Sequence, residues 1–109
     1  MYVAVVILRN ESLTRAVVSS MIECGIFDAT VLDGEGIEHY AGETIPVFAS
    51  LRSLFGEQST YNTTIIASVK SRDVLQQFVH LCRSGGVDFE HDEVGTVMAF
   101  PCDFHLGGR

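Results

Sequence analysis

The hydrophobic period changes several times along this chain. Tyr2 to Leu8 is an unbroken aliphatic and aromatic run of strand length, rich in β-branched side chains, and predicts a strand buried on both faces. Leu13, Val17, Met21 and Cys24 then recur every three or four residues. That spacing predicts a helix capped by Asn10 and stopped by Gly25, with Glu11 in the first turn where the helix dipole favours an anion. Phe27 to Leu32 reads as a second strand, ending in the turn-forming run Asp33-Gly34-Glu35-Gly36. From Thr60 to Lys70 the period is two: Tyr61, Thr63, Ile65, Ala67 and Val69 share one face, and Asn62, Thr64, Ile66 and Ser68 the other. Ser71 caps a second helix with Asp73 in its first turn and Val74, Leu75, Phe78, Val79 and Cys82 as its apolar stripe. The run Arg83-Ser84-Gly85-Gly86 ends it. Val87 to Glu93 is acidic and loop-like, and the segment from Gly95 is a last strand terminated by Pro101.

The element order is therefore β-α-β-β-α-β. This is the α+β, ferredoxin-like arrangement: a four-stranded antiparallel sheet with two helices on one face, expected to form a single domain over residues 1–109. The predicted strands carry almost no charge on either face. A sheet with helices on one side only would expose the other to water, so that far face is expected to be covered by another subunit or by the long connection between the second and third strands.

Composition supports association. Apolar residues make up 47% of 109 residues, and mean hydropathy is +0.26; a small chain this apolar often completes its core by oligomerising. The formal charge of −7 argues against nucleic acid, which requires a basic stripe to displace counterions. No apolar run reaches the roughly 18 residues of a membrane span, so membrane insertion is not expected. The opening MYVAVVILRN has no basic n-region or cleavage site and reads as mature sequence. Cys24, Cys82 and Cys102 are odd in number and lack pair spacing, as expected of reduced thiols in a cytoplasmic protein.

Residues 34–60 form a connection too long to be structureless. Pro46 suits a first helical position and Gly56 a position just past a helix end. Between them Val47, Phe48, Leu51, Leu54 and Phe55 fall on one stripe, which predicts a short amphipathic helix. A helix of about ten residues is not stable alone, so the stripe is expected to dock on protein. Arg52 is the sole cation on its polar face, too little for a membrane surface.

With this element order, the segment Thr30 to Gly36, the long excursion after it and the closing strand Gly95 to Asp103, the chain resembles the PII-like signal-transduction proteins, the superfamily of the nitrogen regulatory protein PII. The resemblance spans the whole chain. It implies a homotrimer whose sheets face inward, with a small anionic ligand, usually an adenine nucleotide, bound in clefts between subunits. It also implies that residues 34–60 act as a T-loop that docks on a partner, a membrane transporter or an enzyme. On that resemblance, Gly34, Gly36, Ile37, Arg83, Gly85 and Gly86 are candidate ligand-binding residues, and Tyr40, Phe48, Leu51, Arg52 and Phe55 candidate partner contacts. Ile37 and Glu38 stand where nitrogen-regulatory members carry arginine and glutamine, and the turn after the second helix has no lysine, so a divergent member with its own ligand is expected.

Read without the family, the Gly34-x-Gly36 turn could let a ligand approach backbone amides, and Gly85-Gly86 could form an amide nest or simply a helix cap. Asp88, Glu90, Asp92 and Glu93 flank His91. Together with His39 they support an alternative function as a metal-binding trimer similar to the divalent-cation-tolerance proteins, although no metal-ligand spacing is present and no metal residues are assigned. Cys102 and His105 add two ligand types but not a site. His80 lies beside the apolar stripe as a helix-face residue. An acylphosphatase-like enzyme would need an arginine-bearing cradle after the first strand, and Arg9-Asn10 lacks its glycines. With no nucleophile motif or phosphate-loop lysine, the chain reads as a regulator, not an enzyme.

Overall fold

The structure is a computed structural model that describes residues 1–48 and 61–108. It is an α+β fold with four antiparallel strands: β1 (Tyr2–Leu8), β2 (Ala29–Glu35), β3 (Tyr61–Val69) and β4 (Gly95–Pro101), in the order β2-β3-β1-β4. Three α-helices are described: α1 (Thr14–Glu23), α2 (Ile37–Thr44) and α3 (Arg72–Ser84). The sheet order and the two crossovers are compatible with the ferredoxin-like arrangement.

The register aligns alternate side chains into layers across the sheet. Val6 pairs with Ile65 on one side and Val97 on the other. Ala4, Val6, Leu8, Ile65, Ala67 and Val69 point to one face, where Val17 and Met21 of α1 and Phe78 and Cys82 of α3 bury them in a single cluster. Phe78 is fully enclosed, and burial of a side chain that size contributes about 3 kcal/mol. Burial pushes the Cys82 thiol above its usual pKa, against a hydrogen bond from Ser20 that works the other way. The same cause, with Glu23 beside it, raises Cys24. All three cysteines are free thiols.

Local chemistry explains the helix ends. Ser71 accepts a hydrogen bond from the Val74 amide at 3.3 Å. Asn10 accepts from the Ser12 amide at 3.0 Å and starts a single 3-10 turn, Glu11–Leu13, that leads into α1. Gly25, at φ +78°, ends α1, a conformation that L residues adopt at a cost.

Two expectations are corrected. The second strand does not run from Phe27 to Leu32 and stop at a turn. Phe27 is largely exposed, and the strand continues through Asp33, Gly34 and Glu35, which pair with Thr63, Asn62 and Tyr61. Ladder hydrogen bonds with β3 outweigh the turn-like composition there. A Cβ on Gly34 would lie 2.1 Å from Asn62 Oδ1, so a larger residue there would displace the Asn62 side chain. The second correction is α2, which occupies residues read as open loop. After it Pro46–Phe48 form a 3-10 turn. The amphipathic helix expected from Val47 to Phe55 lies outside the described residues beyond position 48.

The far face of the sheet carries no charge. Thr30, Leu32, Ile66, Met98 and Phe100 lie on it and are all exposed, with Val3, Val5 and Ile7 between them half-buried. Among the described residues, no helix is long and apolar enough to cross a membrane.

Candidate functional site

Two regions at opposite edges of the sheet gather polar chemistry. At the β2 edge, Gly36 takes an extended conformation, φ −63° and ψ 144°, and turns the chain from strand into α2. His39 and Glu43 lie one turn apart on that helix and Glu35 ends the strand, so the three side chains meet. His39 is 5% exposed. Its Nδ1 faces a Glu35 carboxylate oxygen, and its Nε2 lies 3.2 Å from Glu43 Oε1. Tyr61, which pairs with Glu35 in the ladder, packs its ring over the imidazole at a centroid separation of 5.0 Å. The Glu35 side chain is 34% exposed and that of Glu43 49%, so this cluster opens to solvent through its carboxylates.

The other region lies along α3 beside β4. Arg72, Gln76, His80 and Arg83 follow one another at helical spacing and, with Tyr2, Leu75, Val79 and Ala99, line an open cleft of about 410 Å³. A second cleft of about 730 Å³ adjoins it through Val79 and Arg83 and takes in Arg9, Phe89, Thr96 and three carboxylates. Both volumes fall in the range of small-molecule sites. Arg9, Arg72 and Arg83 are three of the seven basic residues in the chain, concentrated here despite the overall negative charge. Arg83 already engages two carboxylates: its Nη2 donates to Glu90 at 3.3 Å, and its Nε lies 3.8 Å from Asp88.

The candidate residues read from the sequence divide between these edges. Gly34, Gly36 and the exposed Ile37 sit at the β2 edge, and Arg83, Gly85 and Gly86 at the end of α3. One subunit does not bring them together, since the edge strands of a four-stranded sheet lie roughly 14 Å apart. The Gly85 amide donates to the carbonyls of Leu81 and Cys82 and the Gly86 amide to that of Arg83, so both serve the helix cap. Tyr40 is exposed on α2. Leu51, Arg52 and Phe55 lie outside the described residues, as does the side chain of Phe48.

Sequence reasoning did not group Arg72 and His80 along one cleft, and it set His39 with the acids of 88–93 where the structure sets it beside Glu35 and Glu43. The signals were there: an Arg-x3-Gln-x3-His-x2-Arg spacing on α3, and glutamates four residues before and after His39. No protein-family model and no curated protein matches the chain.

Proposed function

We propose that this chain is a divergent PII-like regulatory subunit: a homotrimer that binds a small anion between subunits and signals through residues 34–60 to a partner protein. The observation that carries the reading is the sheet's far face, where Val3, Val5, Ile7, Leu32, Ile66, Met98 and Phe100 stand among Thr, Ser and Asn side chains without a charged residue, on a chain of net charge −7. A cyclic trimer with inward sheets buries that face. A ring also uses heterologous contacts, which join two different patches of neighbouring copies. In the proposed ring, the β2 edge of one copy, with Gly34, Gly36 and Ile37, is one of the two patches and the α3 cleft of the next copy is the other. The ligand then contacts the base of the 34–60 segment directly, and a difference in its affinity for two segment arrangements is all that signalling requires.

The guanidinium groups of Arg72 and Arg83, with His80 between them as a hydrogen-bonding group, supply the anion's counter-charge in this reading, and an adenine nucleotide is the first candidate. The partner is a transporter or enzyme in the cytoplasm, and no catalytic step is involved. Sedimentation equilibrium at micromolar concentration is expected to give three chains per particle; a stable monomer would sink the proposal. Adenine nucleotides are expected to raise the thermal midpoint of the trimer, and Arg72→Ala combined with Arg83→Ala to remove that rise.

A further inference from the structure

The cluster at the β2 edge has the composition and spacing of a cation site. One oxygen each from Glu35 and Glu43 and one ring nitrogen of His39 lie within 4.8 Å of one another. In a zinc or manganese site the ligand atoms stand about 2.0–2.2 Å from the ion, which sets neighbouring ligands roughly 3.0–3.4 Å apart. The 3.2 Å between His39 Nε2 and Glu43 Oε1 already falls in that interval. Glu35 now faces the other ring nitrogen, Nδ1, and its partly exposed side chain would swing to the Nε2 side to complete the set.

The frame around these ligands is built. His39 is buried where its two neighbours are not, and the Tyr61 ring packs against the imidazole at a tilt of 55°. The His39 amide donates to the Gly36 carbonyl at 3.1 Å, tying the ring's backbone to the corner that also positions Glu35. Strand end and helix thus supply the donors from two directions, with His39 on α2 as the fixed member.

We infer that Glu35, His39 and Glu43 bind a divalent first-row transition ion of the zinc and manganese class. Two carboxylates and one imidazole suit borderline and hard ions, and none of the three cysteines belongs to the set, which disfavours soft monovalent copper. The exposed carboxylate side leaves the remaining coordination positions to water. Because α2 leads directly into residue 45 and beyond, the ion pins the base of the 34–60 segment to the end of β2. This inference stands on the subunit alone and does not depend on trimer formation or on a ligand in the α3 cleft.

The test is calorimetric titration of the full chain with Zn²⁺ and with Mn²⁺ at neutral pH, and the visible spectrum of the Co²⁺ form as a report on nitrogen and oxygen ligation. One ion per chain is expected. Glu35→Gln and Glu43→Gln, both at partly exposed positions, are each expected to weaken binding at least tenfold, while His91→Gln leaves it unchanged. His39→Gln is expected to abolish it, with circular dichroism confirming the fold. Absence of binding at micromolar metal would overturn the inference. So would binding that survives both glutamate substitutions, or binding that is lost with His91→Gln, which would place the ion in the acidic loop.

Discussion

Two parts of this molecule set a histidine among carboxylates, and they are built in opposite ways. At the β2 edge the ring of His39 is buried, with a carboxylate at each nitrogen. In the loop after α3, His91 is 68% exposed in its side chain, and the Asp88 carboxylate lies 3.8 Å away. Asp88 itself acts as a turn residue there, accepting the Glu90 amide at 3.0 Å. The denser acidic run is the less convergent cluster. Adjacent residues in a loop splay outward and are solvated, whereas residues four apart on a helix converge.

The loop's own task is to deliver β4. Val87 and Val94 are buried at its ends, and the Arg9 amide donates to the Val94 carbonyl at 3.1 Å. Gly95 follows at φ +142°, with the position of a Cβ only 2.0 Å from the Ile7 carbonyl oxygen of β1. The largest effect expected from any single change here is therefore Gly95→Ala. Backbone must move on both strands, and a loss of about 3 kcal/mol or more is expected from urea unfolding. Gly86→Ala, at φ +93° but with open space around it, is expected to cost roughly 1 kcal/mol. Equal effects would mean that this part of the molecule is not anchored at Gly95.

The comparison of the two histidines sharpens at the next level of magnitude. His39→Ala removes the buried partner of Glu35 and opens a gap under Tyr61, so a loss of about 1–3 kcal/mol is expected without any metal present. His91→Ala is expected to stay within about 0.5 kcal/mol of the parent. Thermal unfolding of the pair, in chelator, measures both. A silent His39→Ala would show that the β2 corner is an accidental convergence.

The frame was legible in the sequence because each element states its period and its ends. The face assignment of Thr63, Ile65, Ala67 and Val69, the Ser71 cap and the stop at Gly25 all follow from local rules that the packing respects. The β2 edge was not legible for the same reason in reverse. Asp33, Gly34, Glu35 and Gly36 have the composition of a turn, and only pairing with β3, a contact with residues nearly thirty positions away, makes the first three a strand. Helix α2 then starts directly after Gly36, in residues with the composition of a loop, which hides the His39 spacing. Composition drew attention to 88–93 instead, where acids are many but do not converge.

The smallest effect separates charge from structure in the α3 loop. Arg83 meets Asp88 and Glu90 at the surface, with its side chain 52% exposed and that of Glu90 80% exposed. Such pairs gain little in high dielectric and lose rotamer entropy, so Arg83→Gln is expected to lower stability by less than about 1 kcal/mol. At molar salt, where screening acts within about 3 Å, even that difference is expected to vanish. A loss above 2 kcal/mol, or one that salt leaves untouched, would mean that the ion pairs hold the loop, and that the guanidinium is not available to an anion. The expected small and salt-sensitive value leaves Arg83 able to exchange Glu90 for a stronger anionic partner, which the proposed ligand-binding role in the cleft requires.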